Sequence, residues 1–121
     1  TTITGTSPVS ADGVSTSIIS ITILDAYSNP IAGTTPIFNA TDTDNGNTYG
    51  ACQASDAAGL SLCTLASTKA EFKTLQLTSP VAVTGDIVEF SSSLPVAANS
   101  TISGTSPHLA TGATESTITI T

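Results

Sequence analysis

Residues 2–22, TITGTSPVSADGVSTSIISIT, come back near the end of the chain as residues 101–121, TISGTSPHLATGATESTITIT. Of these 21 aligned positions 12 are identical, among them Gly5/Gly104, Pro8/Pro107, Gly13/Gly112 and Ile21/Ile120. A bias toward Thr and Ser produces chance matches between hydroxyl residues, but it does not align glycines, a proline and isoleucines. The offset is 99 residues, the length of one small β-sandwich domain, and self-similarity at a fixed period marks a tandem array. Residues 1–98 are therefore expected to form one complete repeat, and 99–121 the opening strands of a following one. Between them SSSLPVAANS (91–100), with Pro95, reads as a short, stiffened linker.

Working outward from that anchor, the hydrophobic pattern has a period of two. In SIISITIL (17–24), Ile19, Ile21 and Ile23 fall on one face and Ser20 and Thr22 on the other. DAYSNPIAG (25–33) is a turn, and TPIFNA (35–40) a short strand carrying Phe38. DTDNGNTYG (42–50) reads as a polar loop and DAAG (56–59) as another turn. Leu60–Leu65 alternates again, Phe72, Leu75 and Leu77 mark a further strand, and IVEF (87–90) closes the domain. About seven short strands at spacings near a dozen residues predict an all-β, immunoglobulin-like β-sandwich with Greek-key connections.

Composition limits what such a domain does. Thr and Ser number 40 of 121 residues, while charged residues are 9% and Met and Trp are absent. The surface must be covered by hydroxyl groups, as suits strands and turns better than helices. Nine acids face only two cations, Lys69 and Lys73, for a net charge of −7. With no Arg and no cationic cluster to displace counterions, nucleic acid is not an expected partner, and anionic membrane surfaces are disfavoured too. Apolar runs are too short for this segment to insert into a bilayer. With no initiator Met and no signal peptide, the chain is expected to begin inside, or after processing of, a larger protein. Cys52 and Cys63, an even pair in a hydroxyl-rich chain, suggest a disulfide and an oxidising compartment.

The ordered segments resemble the bacterial immunoglobulin-like repeats of the invasin and intimin type. The matching pieces are Ala11-Asp12-Gly13-Val14, then Leu24-Asp25-Ala26 with Asn29-Pro30-Ile31-Ala32-Gly33, and Pro36-Ile37-Phe38. They continue with Ser55-Asp56-Ala57-Ala58-Gly59-Leu60 and Thr64-Leu65-Ala66-Ser67-Thr68-Lys69-Ala70, so that the resemblance spans roughly residues 7–91. Tyr27-Ser28 departs from the family's small residue and Gly, and the two cysteines are not part of its general pattern. On the family's layout Cys52 and Cys63 would flank the 56–59 turn and pin adjacent strands. The resemblance implies a rigid spacer or adhesive repeat on a bacterial surface, without specifying a ligand.

Candidate sites are weak. His108 is the sole histidine and no nucleophile elbow accompanies it, so the abundant serines lack a catalytic partner and no enzyme is expected. Asp42 and Asp44 are the closest carboxylates; a solvated turn is the simpler reading and a calcium loop the sharper one. Asp12 and Asp86, near the domain ends, pose the same choice. Two cysteines and one distant histidine cannot complete a zinc site, so neither a metal nor another cofactor is expected. A Lys–Asn isopeptide crosslink needs Lys, Asn and an acid together in a core, whereas Lys69 and Lys73 read as exposed strand-end charges. Asn39 and Asn99 begin glycosylation sequons that carry no weight in a bacterial protein. Phe38, Phe72 and Phe90 read as core; Tyr27 and Tyr49 read as loop residues that could touch a sugar or protein.

The expected role is a structural or adhesive module, a stalk spacer or fibre-forming unit of a larger extracellular or cell-surface protein. The alternative is a domain that binds a glycan, host protein or matrix ligand through its loops. Neighbouring repeats are the expected partners, including strand exchange through 101–121.

Overall fold

Side-chain alternation places the isoleucines of the decisive stretch in the core. Strand β3 (Ser17–Thr22) buries Ser17, Ile19 and Ile21, and Ile23 continues the same face just beyond it. In the computed structural model, residues 1–95, 99–104, 106 and 116–121 are described. The other strands are β1 (Thr2–Gly5), β2 (Val9–Ser10), β4 (Ile37–Ala40), β5 (Asn47–Tyr49), β6 (Leu60–Ser67), β7 (Glu71–Ser79), β8 (Val83–Ser91), β9 (Ile102–Gly104) and β10 (Ile118–Ile120).

Strands β1–β8 form two four-stranded sheets in the orders β1-β3-β6-β5 and β2-β8-β7-β4. The chain crosses between sheets after β1, β2, β3, β4 and β6, which is the Greek-key connectivity of an immunoglobulin-like sandwich. Strand β2 pairs parallel to β8, whereas the remaining partners are antiparallel. The sandwich has eight strands where about seven were expected, because the opening segment divides: β1 joins the first sheet and β2 the edge of the second.

The inner faces meet in a core of Ile3, Ile19, Ile21, Ile23, Phe38, Leu65, Leu75, Leu77, Val88 and Phe90, with Cys63 among them. Two turns are closed by aspartate side chains. Asp25 accepts hydrogen bonds from the Tyr27 and Asn29 amides, and Asp56 from those of Ala58 and Leu60. Gly59 is required: it sits at φ +76°, and a Cβ there would collide with the Ile23 carbonyl oxygen.

Three expectations need correction. Phe72 is not core but 68% exposed. On β7 the inward face is Lys73, Leu75 and Leu77, and Phe72 has the opposite parity. For the same reason Lys73 is not an exposed strand-end charge, since it is fully buried. The stretch 42–50 is not only a loop, because Asn47–Tyr49 forms β5 and pairs with β6 from Asn47↔Ser67 to Tyr49↔Leu65. Tyr49 thereby leaves the loop set and packs edge-to-face against Phe38 at 5.3 Å.

Candidate functional site

The polar centre of the domain lies where the chain leaves β4 and crosses to β5. Thr41 continues beside β7, its amide donating to the Thr74 carbonyl and its hydroxyl accepting from the Thr74 amide. Its own carbonyl points inward. Lys73 Nζ donates to that oxygen at 3.0 Å, and Asn47 Nδ2 donates to the same oxygen at 3.1 Å. Lys73 Nζ also donates to Glu71 Oε1 at 2.6 Å, and it stands 5.8 Å from the centre of the Phe90 ring. Glu71 and Lys73, two apart on one strand, share a face, which is why they meet.

A second layer fixes these groups. Thr43 Oγ1 donates to Glu71 Oε2 at 2.8 Å. The Tyr49 hydroxyl accepts from Asn47 Nδ2 at 3.0 Å and from the Ala40 amide at 3.2 Å. Nδ2 thus sits among oxygens, including two main-chain carbonyls that accept only from a donor. This fixes the orientation of the amide and leaves Asn47 Oδ1 buried, with no hydrogen-bond partner among the described residues. The hydrogen bond from Lys73, then that from Thr43, holds the Glu71 carboxyl below its usual range.

The other candidates are resolved into local structure. Asp42 Oδ1 accepts from the Gly46 amide at 2.8 Å and Oδ2 from the Asn47 amide at 3.4 Å, closing the turn before β5. Asp44 instead pairs with Lys69 at 2.7 Å on the surface. The two carboxylates are turned to different partners, and among the described residues no three His, Cys, Asp or Glu side chains gather as a metal set. Asp12 accepts from the Val14 and Ser15 amides and the Ser15 hydroxyl. Those bonds, that of the Ser15 amide foremost, lower its pKa. Tyr27 is 86% exposed at a loop tip, while Tyr49 has its hydroxyl turned inward. His108 lies outside the described residues. Among the described residues no helix is long and apolar enough to cross a membrane.

Cys52 and Cys63 form a disulfide. It links the segment after β5 to β6 across the 56–59 turn, where the Gly50 and Gln53 amides also donate to the Thr64 and Leu62 carbonyls. One half of the bridge, Cys63, is buried in the core, and Cys52 packs against it.

The hairpin β9–β10 repeats the opening pairing in the same register. Ile118↔Gly104, Thr119↔Ser103 and Ile120↔Ile102 correspond, 99 residues on, to Ile19↔Gly5, Ser20↔Thr4 and Ile21↔Ile3. The burial differs: Ile3, Ile19 and Ile21 are in the core, whereas Ile102, Ile118 and Ile120 are all exposed.

No family model and no curated protein matches the chain. Two solved structures do. The crystal structure of invasin, a bacterial integrin-binding protein, superposes with a TM-score of 0.73 over 97% of this chain, at 24% identity. The structure of Yersinia pseudotuberculosis InvD superposes with a TM-score of 0.59 over 78% of it, at 28% identity. The domain has the invasin-type bacterial immunoglobulin-like fold. The chain spans only about a quarter of those proteins, 24% of the invasin chain and 28% of the InvD chain. Within this invasin-type sandwich, sequence reasoning found the disulfide but missed the Lys73 cluster. The alternation Glu71, Lys73, Leu75, Leu77 was the signal that would have turned Lys73 inward.

Proposed function

We propose that this domain is a non-enzymatic module of a bacterial surface protein, in which residues 1–98 form one repeat and 99–121 begin the next. It serves as a stalk spacer or fibre-forming unit outside the cell. The observation that carries this reading is the β9–β10 hairpin, which reproduces the β1–β3 register with its apolar face uncovered. In a tandem array the remaining strands of the following repeat cover that face; between separate molecules, a second copy covers it by strand exchange. The invasin-type fold, the disulfide and the hydroxyl-rich surface support an extracellular setting. Labelling of intact cells by antibodies against residues 1–98 tests the placement, with the parent protein blocked by thiol reagents only after reduction. Label confined to lysed cells, or free Cys52 and Cys63, would overturn it.

A further inference from the structure

We propose that Lys73 and Asn47 become joined by an intramolecular isopeptide bond, formed by the domain itself with Glu71 as the proton carrier. This site is independent of the array reading, since every group lies within the first sandwich.

The Lys73 ammonium is fully buried beside one carboxylate, one carbonyl and an aromatic face. A buried cation is costly even when paired. The carboxamide that shares its Thr41 carbonyl has a buried oxygen without a donor, which is costly as well. Amine, amide and carboxylate thus meet in one cluster around the Thr41 carbonyl, with the Phe90 ring on one side of the ammonium. Conversion to a neutral secondary amide removes the buried charge.

The chemistry balances without an oxidant or reductant. Lys73 Nζ gives a proton to Glu71 Oε1 and, as a free amine, adds to Asn47 Cγ, forming the C–N bond. Glu71 then passes a proton to Nδ2 and takes one from Nζ. The Cγ–Nδ2 bond breaks, ammonia leaves, and Glu71 keeps one proton until it exchanges with water. Thr43 Oγ1 holds the other Glu71 oxygen, and the Tyr49 hydroxyl holds the leaving nitrogen. The reaction happens once per molecule, so it is a maturation step and not turnover. The product would tie β5 of one sheet to β7 of the other.

The chain contains two cationic residues, Lys69 and Lys73, so trypsin reads the bond directly. The purified protein is incubated, reduced, denatured and weighed intact, then digested. The proposal predicts a mass lower than the sequence by one ammonia. It also predicts a single tryptic species in which residues 1–69 stay attached to 70–121, because the acylated Lys73 resists cleavage. Full mass, with release of 70–73 as a free peptide, would overturn it. So would a loss of ammonia confined to a cyclic imide at Asn45-Gly46, which leaves Lys73 cleavable. Glu71→Gln is expected to stay at full mass while retaining the Cys52–Cys63 bridge. Complete linkage in that variant would remove Glu71 from the mechanism. The wild-type measurement stands even where a variant fails to fold.

Discussion

Ile3 and Ile102 occupy equivalent positions in two β-ladders of identical register, yet Ile3 is 1% exposed and Ile102 is 70% exposed. The difference lies in what stands opposite. Ile3 lies in the sandwich core together with Val88 and Leu75, whereas among the described residues no second sheet covers Ile102. Burying an isoleucine is worth about 1.5–3 kcal/mol, so three exposed ones on one hairpin face are a strong drive toward a covering partner.

The disulfide stabilises the sandwich by closing a short loop, and in the chain-entropy model that contributes about 3 kcal/mol. The double variant Cys52→Ala/Cys63→Ala is therefore expected to remain folded but to melt more than about 10 °C lower than the oxidised protein. Calorimetry under matched conditions checks this. An unchanged Tm would mean that the bridge adds nothing to stability.

Parity on β7 yields a paired prediction. Leu75→Ala, at a fully buried position, should cost about 2–5 kcal/mol. Phe72→Thr, which removes a comparable side-chain volume, should stay within about 0.5 kcal/mol because the ring faces outward. Urea unfolding of both variants decides it; a Phe72 cost equal to that of Leu75 would reverse the strand's assignment.

That contrast shows what was legible in the sequence. Ile19, Ile21 and Ile23 announced their face because they recur at every second residue among hydroxyls. Phe72, Leu75 and Leu77 were grouped by hydrophobicity alone, although Phe72 cannot share a pleat face with the other two. Strand β5 was hidden because Asn47 and its Asp/Gly-rich approach carry turn propensity, and only pairing with β6 makes it extended. The Lys73 cluster was invisible for a related reason. Its members come from β5, β7 and the 41–43 crossing, and tertiary topology alone brings them together. Cys52 and Cys63 were readable because two cysteines permit one intramolecular pairing.

Acid should weaken the domain through its turn aspartates. Asp25 lies below its ordinary value of 3.8, first through the Asn29 side chain and then the Asn29 and Tyr27 amides. Asp12 is lowered by Ser15 and Val14. A carboxylate with a depressed folded pKa contributes stability that is complete above its unfolded value and is lost as pH falls through the folded one. Urea midpoints should thus be flat from pH 7 to pH 5 and drop below about pH 4. In Asp25→Asn the midpoint at pH 7 should be lower and the acid slope shallower. A slope unchanged by that substitution would remove Asp25 from the account.

The central claim is that residues 99–121 open a second repeat whose apolar face seeks a partner. Light scattering across a concentration series tests it most directly, comparing the whole chain with a version ending at Ser100. The account predicts that the shorter chain stays monomeric while the full chain grows in mass with concentration, and that Ile102→Ser/Ile118→Ser/Ile120→Ser abolishes the growth. A full chain that remains monomeric at every concentration would contradict it.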